Sequence, residues 1–66
     1  MKNKLRIARV QKNLTQQELA EKISVSRQTI NSIETGRYIP STLLALKLGR
    51  ELSTMVEELF ELEQDD

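Results

Sequence analysis

The 66-residue sequence contains no cysteine and no histidine. Disulfides, thiolate nucleophiles, zinc sites and imidazole bases are therefore all excluded, and with them most of the chemistry by which a small domain catalyses a reaction. No other nucleophile and base stand out as a pair, so an enzyme is not expected, nor is a metal or any other cofactor. Long apolar runs are missing too. The longest stretch without a charge, Tyr38 to Leu46, is nine residues, far short of the ~20 needed to span a bilayer. No apolar segment follows the basic N-terminus as it would in a secretory leader. A cytoplasmic protein with no membrane partner is expected. Repeats, low-complexity tracts and linkers are also absent, and at this length a single domain over 1–66 is expected. Hydrophobic residues at 38% and charged residues at 30% make a mix that folds rather than one that stays disordered.

The formal net charge is zero, but the sum conceals an asymmetry. Met1 to Arg37 carries eight basic and three acidic residues, whereas Tyr38 to Asp66 carries two basic and seven acidic. A basic N-terminal half suits a surface that faces a polyanion, while the neutral total argues against tight sequence-independent binding of nucleic acid. The acidic residues from Glu57 onward are expected to lie away from such a partner.

Capping residues divide the chain. Leu5, Ala8 and Lys12 share one stripe of a first helix, with Arg9 on its edge as a charge in need of a partner. Thr15-Gln16-Gln17-Glu18 reads as a capping box that opens a second helix near Gln16, with Leu19, Ala20 and Ile23 on its inner face and an end near Ser24. Ser26 is an N-cap for a third helix that places Ile30 and Ile33 inward and ends at Gly36. At about 100° per residue with Gln28 at zero, Ile33 and Ile30 fall near 140° and 200°, whereas Arg27, Asn31 and Ser32 fall near 260°, 300° and 40°. The outer face is thus polar, rich in amides and charged only at Arg27. Ser41 caps a fourth helix running to about Glu51, whose apolar residues Leu44, Ala45, Leu46, Leu48, Gly49 and Leu52 cover more than half its circumference and mark it as central. Thr54 and Glu57 form a second possible capping box, opening a short last helix with Val56, Leu59 and Phe60 inward. The tail, 61–66, reads as frayed helix or short strand.

Two short helices joined by a tight turn, the second with a polar outer face, make a helix-turn-helix, here at about 16–35. Ala20 supplies the small residue needed where the helices cross. With Leu14-Thr-Gln-Gln-Glu-Leu-Ala20, Val25-Ser-Arg-Gln-Thr-Ile-Asn31, Ile33-Glu34, Gly36, Pro40-Ser41, Ala45-Leu46 and Glu58-Leu-Phe60, the chain resembles the Xre-type family of phage repressor and Cro proteins. The likeness runs from about Leu5 to Phe60. It implies an all-α, five-helix, lambda-repressor-like domain that binds double-stranded operator DNA, usually as a homodimer on an inverted repeat.

Carried over residue by residue, the resemblance assigns base reading to Arg27, Gln28 and Ser32, with Asn31 beside them. The chemistry suits the task, because a glutamine amide bonds bidentately to adenine and an arginine to guanine. Phosphate contacts are implied for Gln16 and Gln17, for Thr35, Arg37 and Tyr38, and for Ser41 and Thr42; Tyr38 has loop packing as an equal alternative. The same likeness pairs Arg9 with Glu34 in a buried, structural ion pair. Two departures stand out. Ser24 occupies a turn position where many relatives carry glycine, so serine there either costs ~1 kcal/mol or alters the turn. Ser53-Thr54-Met55 replaces the usual Gly-Val-Ser before the last helix.

Ile7 and Val10 point away from the core of the first helix, toward the segment around Leu62, toward a second subunit, or simply into solvent. The expectation is a transcriptional regulator, a repressor acting as a homodimer, with no small-molecule effector. An antitoxin of a toxin-antitoxin pair and a protein-protein adaptor retaining the fold are the alternatives. An adaptor would carry acidic or apolar residues at Arg27, Gln28, Asn31 and Ser32, and this chain does not.

Overall fold

The second, third and fourth helices begin where a side chain takes up a free backbone N–H, and the first four end where one residue turns left-handed. The computed structural model describes residues 1–66. In chain order its elements are β1 (Lys2–Asn3), α1 (Leu5–Gln11), α2 (Gln16–Lys22), α3 (Arg27–Glu34), α4 (Thr42–Leu52), α5 (Val56–Leu59) and β2 (Phe60–Glu61). The capping box of α2 forms as expected. The Thr15 hydroxyl accepts from the Glu18 N–H at 3.0 Å, and the Glu18 carboxylate accepts from the Thr15 N–H at 2.8 Å. The Thr15 N–H foremost, and then the Thr15 hydroxyl beside it, hold the Glu18 carboxyl below the usual carboxylate range. Ser26 and Ser41 cap α3 and α4 in the same way, accepting from the Thr29 and Leu44 N–H groups.

The helix ends share one device. Beyond α1, α2, α3 and α4 stand Asn13, Ser24, Gly36 and Ser53, all at positive φ. Each time the following N–H reaches back five residues: Leu14 to Arg9, Val25 to Ala20, Arg37 to Ser32 and Thr54 to Gly49. This is the Schellman closure. Ser24 therefore keeps the turn that a glycine would make, at φ 61. Backbone strain, rather than an altered turn, is the consequence of having serine there.

Leu5, Ala8, Leu19, Ala20, Ile23, Ile30, Ile33, Leu44, Leu48, Leu52 and Leu59 form a single core. α2 and α3 make the most extensive contact of any two elements, over a fully buried Ala20. A Cβ on Gly49 would lie 2.8 Å from the Thr54 carbonyl oxygen, so glycine is what lets α4 and the turn into α5 touch.

Several expectations are corrected. Lys12 follows the last turn of α1 and is exposed; an ammonium group would lose hydration on the inner stripe and α1 ends before needing it. α4 buries a narrower strip than its composition suggests, Leu44, Leu48, Gly49 and Leu52, while Leu43 and Leu46 stand 65% and 58% exposed. The small core offers that helix only one side to cover. Thr54 and Glu57 make no capping box. The left-handed Ser53 carries the chain past the cap position, Thr54 donates to the Leu52 carbonyl at 2.9 Å, and α5 starts from Met55 with no side-chain cap. Phe60 is extended, not helical, at φ −124.

The chain ends pair. β2 runs antiparallel to β1, with Lys2 opposite Glu61 and Asn3 opposite Phe60. The five helices thus come with a short strand at Phe60–Glu61, just where the tail that reads as frayed helix or short strand begins, and with an N-terminal partner strand that no sequence signal announces. The Met1 ammonium group lies 2.9 Å from Glu63 and 3.1 Å from Asp66. No helix is long and apolar enough to cross a membrane.

Candidate nucleic-acid interface

α3 is held from behind and open in front. Ile30 and Ile33 are fully buried, so the helix cannot roll without emptying the core. On the opposite side Arg27 and Gln28 are exposed and Asn31 and Ser32 half-buried. Gln28, Asn31 and Ser32 line one shallow groove along the helix, and Arg37 and Tyr38 form its far wall. The loop is not loose against α3, because the Arg37 and Tyr38 N–H groups both donate to the Ser32 carbonyl, at 2.9 and 3.2 Å. Three of the four expected readers and two of the expected phosphate contacts thus share a surface, while Arg27 stands outside the groove, on the first turn of α3.

Arg9 and Glu34 meet as expected. The Arg9 Nε donates to one Glu34 oxygen at 2.6 Å and a terminal nitrogen donates to the other at 3.3 Å. The remaining Arg9 nitrogen donates to the Leu14 carbonyl at 2.7 Å. Both side chains are largely dry, 11% and 3% exposed, so the pair ties α1 to the end of α3 through a bidentate, charge-assisted contact.

Other assigned residues have their polar groups engaged inside the chain. The Gln16 amide nitrogen donates to both Asn31 and Glu34, each at 3.1 Å, which leaves that side chain no hydrogen for a phosphate. The Thr35 hydroxyl donates to the Asn31 carbonyl at 2.8 Å and its N–H donates to the same oxygen at 3.0 Å; Thr35 closes α3 and has no donor to spare. The exposed Gln17 amide bonds to Glu21 at 3.3 Å. The Ser41 oxygen caps Leu44, and Thr42 beside it is exposed.

Two residues outside the expected set belong here. Asn3 donates to the Ile33 carbonyl at 2.9 Å and accepts from the Leu5 N–H at 3.2 Å, fastening β1 to the last turn of α3. An asparagine just before a helix is a capping signal, but nothing local points it at Ile33. Arg6, exposed on α1, stands at the rim of a polar hollow with Arg9, Gln16, Asn31 and Glu34. No group of three or more carboxylates converges as a metal site would require.

Neither Ile7 nor Leu62 covers the other: they are 59% and 78% exposed, and Val10 is 54% exposed. A second apolar area lies elsewhere. Ile39, Pro40, Ala45, Leu46, Val56 and Phe60 line a hollow between α4, α5 and the loop before α4.

Comparison with known proteins agrees with this geometry. A family model described as helix-turn-helix matches residues 5–59. An uncharacterised HTH-type transcriptional regulator of Methanocaldococcus jannaschii is 48% identical over 66 residues, all of both chains. The uncharacterised HTH-type transcriptional regulator YgzD of Bacillus subtilis is 42% identical over the same full length. Among solved structures, the restriction-modification controller protein C.AhdI of Aeromonas hydrophila superposes with a TM-score of 0.77 at 34% identity, over 85% of this chain and 81% of that one. The chain belongs to the helix-turn-helix transcriptional regulators of the Xre, lambda repressor and Cro type.

Proposed function

We propose that the protein is a sequence-specific repressor that binds double-stranded DNA as a homodimer on an inverted repeat. The observation that carries the reading is the amide-rich groove on α3, rigidly backed by Ile30 and Ile33 and walled by Arg37 and Tyr38. A helix so presented fits the major groove, where Gln28 and Asn31 meet base edges with Ser32 beside them and Arg27 at the helix start. Arg37, the Tyr38 hydroxyl, Gln17, and Ser41 with Thr42 at the start of α4 contact phosphates. Gln16 and Thr35 support the reading helix instead.

One recognition helix spans too few base pairs for genomic selectivity, so two copies read half-sites about one helical turn, ~34 Å, apart. Exposed Ile39, Leu43, Leu46 and Met55, 58–65% exposed, favour a dimer face on α4, α5 and the loop between α3 and α4, with a smaller share for Ile7 and Val10. The acidic residues of the C-terminal segment suppress indiscriminate binding by repelling DNA.

The test is selection of bound sites from a random DNA library, followed by titration of two variants at two salt concentrations. Gln28→Ala should relax selectivity at one symmetric pair of positions and barely change affinity for random DNA. Arg37→Ala should weaken binding to all sequences alike and lower the salt slope by about one unit per subunit. Equal losses on every sequence for Gln28→Ala would refute base reading, and a monomeric mass with selected sites lacking two-fold symmetry would refute the dimer.

A further inference from the structure

The hydrogen bonds behind α3 run in one direction. Glu34, paired with Arg9, is a carboxylate and can only accept. Gln16 must therefore turn its NH₂ toward Glu34, and the second hydrogen of that nitrogen goes to Asn31. Asn31 must meet it with its carbonyl oxygen. The orientation of both amides is thus set by a buried negative charge one turn of α3 away, and Asn31, which lines the groove, keeps its NH₂ free of any partner within the chain.

We infer that Gln16 is a positioning residue that makes Asn31 a donor-only reader, and that Asn31 consequently selects a G·C pair. The inference rests on the DNA-reading function proposed above. An asparagine free to turn offers adenine both halves of its amide, accepting from N6 while donating to N7. Held by Gln16, the Asn31 oxygen is fixed on the side of that donor, so the amide cannot turn to offer oxygen and nitrogen together to adenine. Its two N–H groups match the adjacent acceptors N7 and O6 of guanine, whereas on adenine one of them meets the N6 amino group head-on. Thymine offers a single acceptor and cytosine a donor. Specificity at this position is therefore decided one layer behind the residue that touches the base.

Site selection with the parent, Asn31→Ala, Gln16→Ala and Gln16→Met tests this. Asn31→Ala identifies the position by erasing its preference. There the parent should favour G·C over A·T by about tenfold, the worth of one good bidentate contact. Both Gln16 variants should bring A·T within about threefold of G·C while the position read by Gln28 stays unchanged. Gln16→Met preserves volume, and circular dichroism verifies that each variant is folded. An A·T preference in the parent, or Gln16 variants that keep the parental ratio, overturns the inference and leaves DNA reading standing, as does an Asn31→Ala variant that alters no position. A parent that enriches no sequence refutes DNA reading itself and the inference with it. Should neither Gln16 variant fold, the parent's own preference decides.

Discussion

Removing either partner of the Arg9–Glu34 pair should nearly unfold the protein. In Glu34→Ala the guanidinium keeps its bond to the Leu14 carbonyl but loses two bonds and its counter-charge. In Arg9→Ala the carboxylate keeps only the Gln16 donor, and the Leu14 carbonyl loses the guanidinium. With side chains 11% and 3% exposed, each single variant strands a charge where water cannot solvate it, at a cost of ~3–5 kcal/mol. A chain of this length has roughly 3–10 kcal/mol of stability in all. At ~4–8 °C per kcal/mol, Tm should fall by roughly 12–40 °C. Arg9→Met/Glu34→Leu removes both charges and leaves only the Leu14 carbonyl and one Gln16 N–H unpaired, so it should lose just ~1–3 kcal/mol and be more stable than either single variant. Urea unfolding followed by far-ultraviolet circular dichroism reads all three. Single losses below ~1 kcal/mol, or a double variant that falls by the sum of the singles, would refute the reasoning.

Gly49→Ala should cost ~1–3 kcal/mol in urea unfolding, because its Cβ meets the Thr54 backbone. Gly36→Ala has open space around it but a φ of +78, and should cost ~1 kcal/mol. Ser24→Gly and Ser53→Gly, at φ 61 and 50, should each raise stability by a few tenths to ~1 kcal/mol as relief of left-handed strain outweighs glycine's entropy; a fall in Tm for both would show the strain is absent. Thr15→Ala should cost ~1 kcal/mol by opening the capping box. Because folding depresses the Glu18 pKa, its contribution is present above the ordinary carboxylate range and is lost as pH falls through the depressed value. Glu18→Gln should accordingly flatten the acid limb of the stability profile, and an unchanged limb would exclude that linkage.

The five helices and their order are legible in the sequence. Thr15, Ser26 and Ser41 announce helix starts because capping is a bond between residues three apart, and Ile30 and Ile33 announce the inner face of α3 because helical periodicity is local. Gln28 and Ser32 are legible as outward residues for the same reason. Tertiary structure decided which polar groups remained free. Gln16 and Thr35 have the chemistry of phosphate ligands, yet the partners that engage Gln16 lie fifteen and eighteen residues away, beyond the reach of any local pattern. It also decided which apolar residues of α4 are covered, since Leu44 and Leu46 are equally hydrophobic and differ only in what packs against them. The strand at Lys2–Asn3 exists because Phe60–Glu61 lies beside it: a two-residue strand has no periodicity of its own, and its hydrogen bonds belong to the far end of the chain.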